Sequence, residues 1–87
     1  MTNQTFTFLD EAIHPIPQEV RYKHDVEGKN MLKAWREHLD ISVLEMSERM
    51  EYTTFYYNLL ESVPKVNPVL SPLLAKALGI TEIQLNL

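Results

Sequence analysis

Few side chains in this sequence have the types and spacing to do chemistry. His24, Asp25 and Glu27 fall within one helical turn and are of metal-ligating type, but their spacing matches no ligand motif. No Ser-His-Asp order, glycine-rich phosphate loop or carboxylate pair in an apolar setting occurs, and two glycines leave little from which to build a nucleotide cradle. No catalysis, cofactor or metal is expected. What remains is hydrogen bonding. In residues 51–62, EYTTFYYNLLES, two threonines stand where a helix should start, and Asn58 follows one turn later. Hydroxyls and amides of this kind can bond a phosphate or a base edge. Yet no Lys or Arg falls between Arg49 and Lys65, so the segment itself carries no cation to attract a phosphate.

The charge balance bears on the class of partner. The net charge is −4, and residues 1–28 hold five carboxylates against two cations, while residues 29–87 hold seven against six. Lys and Arg supply most nonspecific DNA affinity, so an acidic chain argues against strong DNA binding unless a local patch suffices. An acidic N-terminal third suits a basic protein partner better. With 87 residues and 45% apolar content the chain has one domain's worth of core. The lack of cysteine excludes disulfides and thiolate zinc and points to a cytoplasmic home. No apolar run approaches the roughly 18 residues that span a bilayer, and no basic-then-apolar signal pattern opens the chain.

Six helices and a strand should position these groups. Residues 5–9, TFTFL, alternate polar and apolar and predict a short strand. One strand cannot stand alone, so it pairs with a second copy or a partner's sheet edge, or lies on the domain as an arm. Phe6 and Phe8, with the neighbouring Asp10 and Glu11, are therefore candidate partner-binding residues. Pro17 suits the first turn of a helix running to Gly28, with Val20, Tyr22 or Lys23, and Val26 inward. Residues 1–28 thus form an N-terminal arm. Residues 29–87 form the main domain. There Asn30 caps a helix whose apolar stripe is Met31, Leu32, Trp35 and Leu39. Trp35 is expected against the preceding helix. Asp40-Ile41 turns, and Ser42 with Glu45 forms a capping box for the next helix, whose Met46 and Met50 face the core. After the Glu51-Tyr52 turn, Thr53 caps a helix over about 54–61 with Tyr57 and Leu60 inward. Ser71-Pro72 reads as a cap and first-turn proline for a helix carrying Leu73, Leu74, Ala77 and Leu78, stopped by Gly79. Thr81 caps a last short helix with Ile83 and Leu85.

On LKAWREHLDIS, SVLEMSERM, TTFYYNLLES, NPVLSPLLAKALGIT and EIQL, the span Leu32 to Leu85 resembles the helix-turn-helix domain of phage Cro and repressor proteins, the Xre-type family. The upstream IPQEVRYKHDVEGKNMLKAWREHL is similar to the lead-in of HigA-like antitoxins encoded beside RelE-type ribonuclease toxins. The resemblance implies an all-α, five-helix Cro/repressor-like domain, here with the N-terminal strand and one extra helix. It implies a structural ion pair between Arg36 and Glu61, tying the first helix of that domain to the end of its third. It implies DNA contacts from Thr53, Thr54, Phe55, Asn58, Lys65 and Asn67, with Lys29 and Lys33 as further phosphate candidates. By the same resemblance the chain is an antitoxin-like repressor, a homodimer that binds a basic toxin and its own operator.

The sequence departs from that family where DNA is read. Val43 replaces the usual Gln at the start of the second helix, Phe55 and Leu59 stand at reading positions, and Glu51 replaces the turn glycine. With Leu44, the residues Val43, Phe55 and Leu59 form a candidate apolar patch, and such patches mark protein contacts. The alternative is a helix-turn-helix that has become a protein-interaction module without DNA binding.

Overall fold

The structure, a computed structural model, describes residues 15–86 and is all-α across them. It consists of α1 (Gln18–Asp25), α2 (Met31–His38), α3 (Val43–Met50), α4 (Thr54–Ser62), α5 (Ser71–Leu78) and α6 (Glu82–Asn86). The strand expected over residues 5–9, and with it Phe6, Phe8, Asp10 and Glu11, lies outside the described residues.

Local capping chemistry sets most helix starts. Asn30, Ser42 and Thr53 each accept a hydrogen bond from the backbone N–H three residues on, which satisfies one of the four orphan amides of a helix N-terminus. Thr81 and Gln84 form a complete capping box: the Thr81 hydroxyl accepts from the Gln84 N–H, and the Gln84 side-chain oxygen accepts from the Thr81 N–H. At α3 the box is only half made, because Glu45 turns instead to Arg49 at 3.3 Å.

The core is shared by every helix. Val20 of α1, Leu32, Ala34 and Trp35 of α2, Met46 of α3, Tyr57 and Leu60 of α4, Leu74, Ala75 and Leu78 of α5 and Leu85 of α6 are all buried. Helix α2 packs on α1, α5 and α6, while α3 bridges α4 and α5. Trp35 is buried, and its indole N–H donates to the Gln84 carbonyl at 3.1 Å, clamping α6 to α2.

Several expectations are corrected. Helix α1 ends at Asp25 rather than at Gly28; Tyr22 on it is exposed, and so is Val26 at its C-cap. Pro17 sits before the first turn, at the cap position. Ser71 is not a cap. It is the first helical residue, buried, and its hydroxyl bonds the side chain of Asn86. Asn67 does the local work instead, accepting from the Val69 and Leu70 amides. Leu39, expected on the apolar stripe of α2, is exposed, and Met50 is only half-buried against the core.

Candidate nucleic-acid interface

Helix α4 is held from the inside and from its C-terminal end. Tyr57 and Leu60 face the core. Glu61 receives the Arg36 guanidinium in a two-pronged pair, Nε to Oε2 at 2.6 Å and Nη2 to Oε1 at 3.1 Å, with the third nitrogen donating to the Ile41 carbonyl at 2.9 Å. The two side chains are 11% and 6% exposed, so the fork and the carboxylate meet largely out of water. Asn30 adds a second anchor: while its oxygen caps α2, its amide donates to the carbonyls of Leu60 and Val63, both at 3.0 Å. One buried side chain thus starts α2 and finishes α4.

The Tyr57 hydroxyl is also buried beside this pair. Burial first, and then the Glu61 carboxylate, push its pKa well above the usual phenol value, and it makes no hydrogen bond of ordinary geometry. Neither the second role of Asn30 nor this orphaned hydroxyl has a local sequence signal, because both depend on neighbours distant in the chain.

The outer side of α4 is correspondingly free. Thr54, Phe55, Tyr56, Asn58, Leu59 and Ser62 are exposed. Thr53 precedes them with its oxygen occupied by the Tyr56 amide, leaving its O–H available as a donor. Asn67 has its side-chain oxygen committed to the loop, so only its NH₂ can reach outward. Lys65 is exposed and makes no ion pair among the described residues. Of the expected contacts, Thr53, Thr54, Phe55 and Asn58 therefore cluster on one short helix and its cap, with Lys65 and Asn67 following in the loop beyond it.

The electrostatics around this face do not favour phosphate. Glu51, exposed in the turn before Thr53, adopts a left-handed backbone with φ 58°. Glu48 is exposed on α3, and Arg49 is drawn off to Glu45 and to the Ala77 carbonyl at 2.7 Å. Of the further candidates, Lys29 is committed to Glu37 at 2.6 Å and Glu27 at 3.1 Å, whereas Lys33 makes no ion pair among the described residues. Burial pushes the Glu37 carboxyl up, but Lys29 and Lys23 more than offset it and hold the group below its ordinary value. His24 offers Nδ1 to the Lys29 carbonyl at 2.7 Å, a staple across the α1–α2 turn.

The apolar candidates separate. Leu44, Phe55 and Leu59 are exposed, at 59%, 75% and 49%, whereas Val43 packs partly against the core. Tyr56 is exposed and meets the half-buried Tyr52 edge-on, with ring centres 4.9 Å apart. No helix among the described residues is long and apolar enough to cross a membrane. Comparison of the chain with family models, curated proteins and solved structures gives no match.

Proposed function

We propose that the chain is a helix-turn-helix protein of Cro/phage-repressor type, with α3 and α4 as the motif, acting as an antitoxin-like transcriptional repressor. The observation that carries this reading is the division of α4. Its inner side and C-terminal end are fixed by Tyr57, Leu60, Glu61 and Asn30, while Thr54, Phe55 and Asn58 stand in solvent from a capped N-terminus. A helix so held can enter a major groove N-terminal end first. There the Asn58 amide can pair with adenine, Phe55 can meet a thymine methyl, and Thr54 can bond either a base or a phosphate. The Thr53 hydroxyl, Lys65 and the Asn67 NH₂ would hold the backbone. A homodimer would place two such helices about one DNA turn apart. The acidic arm, with Phe6, Phe8, Asp10 and Glu11, would take a basic RelE-type toxin.

A mobility shift on the DNA upstream of the chain's own gene tests this. With Lys65 as the main phosphate cation on this face, affinity should fall only about three- to four-fold per protomer between 50 and 200 mM salt, a shallow slope for a DNA-binding protein. No shift at about 50 mM, where nonspecific attraction is strong, sinks the DNA reading.

A second reading is favoured by the exposure of Phe55, Leu59 and Leu44 beside Glu48 and Glu51. On it, the same face is a protein-docking surface that no longer reads DNA. An absent mobility shift would leave this reading standing alone.

A further inference from the structure

Helix α4 is apolar on two sides. Tyr57 and Leu60 face inward, and Phe55, Tyr56 and Leu59 face outward, with Val63 continuing the row at the C-cap. Phe55, Leu59 and Val63 are spaced i, i+4 and i+8, so they form one ridge along the outer face, about 12 Å from end to end. Their exposures are 75%, 49% and 45%. The single charge within Thr54–Ser62 is Glu61, and it points inward to Arg36. An exposed apolar row of this kind, flanked by the polar Thr54, Asn58 and Ser62, calls for a cover.

The charges at the two ends of the ridge say which cover fits. Glu51, exposed, lies just before the helix, and Lys65, exposed and without an ion pair among the described residues, lies just after it. The ridge is thus negative at one end, neutral along its length and positive at the other. Such a pattern is complementary to itself when reversed. A twofold axis at Leu59 sets Leu59 on its own copy, brings Phe55 to Val63 of the second copy, and carries each Glu51 to the end that holds the other Lys65.

We propose that the outer face of α4 is a self-association surface, and that its occupant is a second copy of this chain lying antiparallel along the Phe55–Leu59–Val63 ridge. The proposal rests on the docking-surface reading and names its occupant. It also makes self-association and any DNA binding mutually exclusive, because both use the same side chains.

Sedimentation equilibrium of the full chain from about 10 µM to 1 mM tests it. The expected result is a reversible dimer whose dissociation constant rises roughly tenfold or more in Leu59→Lys, where like charges face each other on the axis. Glu51→Lys and Lys65→Glu should each weaken the dimer several-fold, and the double exchange should restore it. All three positions are exposed, so circular dichroism should report an unchanged fold. A monomer across the whole range, or a dimer that Leu59→Lys leaves within about threefold, overturns the proposal. So does a double exchange no tighter than either single one. A monomeric chain refutes only the second copy as occupant, since the mobility shift tests DNA against docking separately.

Discussion

Removing Arg36 should cost more than removing any other charged side chain in the described structure. Arg36→Ala deletes three hydrogen bonds at once, two to Glu61 and one to the Ile41 carbonyl. It strands a carboxylate that is 6% exposed, beside a phenol that makes no hydrogen bond of ordinary geometry. Breaking a buried pair from one side costs about 3–5 kcal/mol, mostly through the charge left behind. With Arg36 itself 11% exposed, the lower end, about 3 kcal/mol, is the appropriate figure. A domain of this size holds about 4–13 kcal/mol in all, so the loss is a quarter of the total or more. At about 4–8 °C per kcal/mol, Tm should fall by on the order of 15 °C. Glu61→Ala should cost less, because the freed guanidinium keeps the Ile41 carbonyl and can extend toward water. The double variant should therefore fall short of additivity by about 1.5–3 kcal/mol in urea titrations followed by circular dichroism. A coupling below about 0.5 kcal/mol would show that the pair is a contact without energetic meaning, and the anchoring of α4 would then have to rest on Asn30 and on the burial of Tyr57 and Leu60.

Four further outcomes follow from other local features of the fold. Tyr57→Phe removes only a buried hydroxyl that lacks a hydrogen-bond partner, so urea unfolding should show a change within about 0.5 kcal/mol, or a gain. Glu51→Gly relieves a left-handed backbone that costs an L-residue about 1 kcal/mol, so Tm should rise by several degrees; Gly79→Ala, at φ 79° and with open space around the added carbon, should lower it comparably. The Glu37 carboxyl is held below its unfolded value, so its contribution is complete above about pH 5 and is lost as the pH falls through the lowered folded value. Glu37→Gln should therefore flatten the dependence of Tm on pH between about 5 and 3 while leaving the slope above pH 6 unchanged.

How much of this was legible in the sequence depended on how far apart the partners lie. Asn30, Ser42 and Thr53 could be read as caps because the bond they make spans three residues. Tyr57 and Leu60 could be placed inside because the helical period fixes which side they share. Ser71 could not be read correctly. Ser-Pro is a sound local cap signal, but Asn86 lies fifteen residues away and holds that hydroxyl in the interior. Gly28 misled for a related reason: it takes its left-handed φ of 76° in the loop after α1, not at the helix end. Arg36 and Glu61 are separated by 25 residues, so only a resemblance, and no spacing rule, could join them. The double duty of Asn30 had no signal at all, since its second set of partners belongs to the far end of α4.

The two sides of α4 therefore answer to different constraints. Tyr57, Leu60, Glu61 and Asn30 account for why the helix stands where it does, and none of them needs help from the outer face. Phe55 and Leu59 contribute little to folding while they remain in water, because apolar area stabilises only in proportion to what is removed from solvent. Polar residues there would support the same fold at no penalty and with less risk of association. An apolar choice at two such positions, continued by Val63, is thus a statement about what covers the helix rather than about the helix. DNA could use Phe55 for one thymine methyl, but a row about 12 Å long with Lys65 as its one neighbouring cation, set at its far end, is better matched to another apolar ridge. Salt should separate the two covers. Phosphate contact weakens as ionic strength rises, whereas apolar burial is held or strengthened, so the response of α4's occupant to added salt identifies its class.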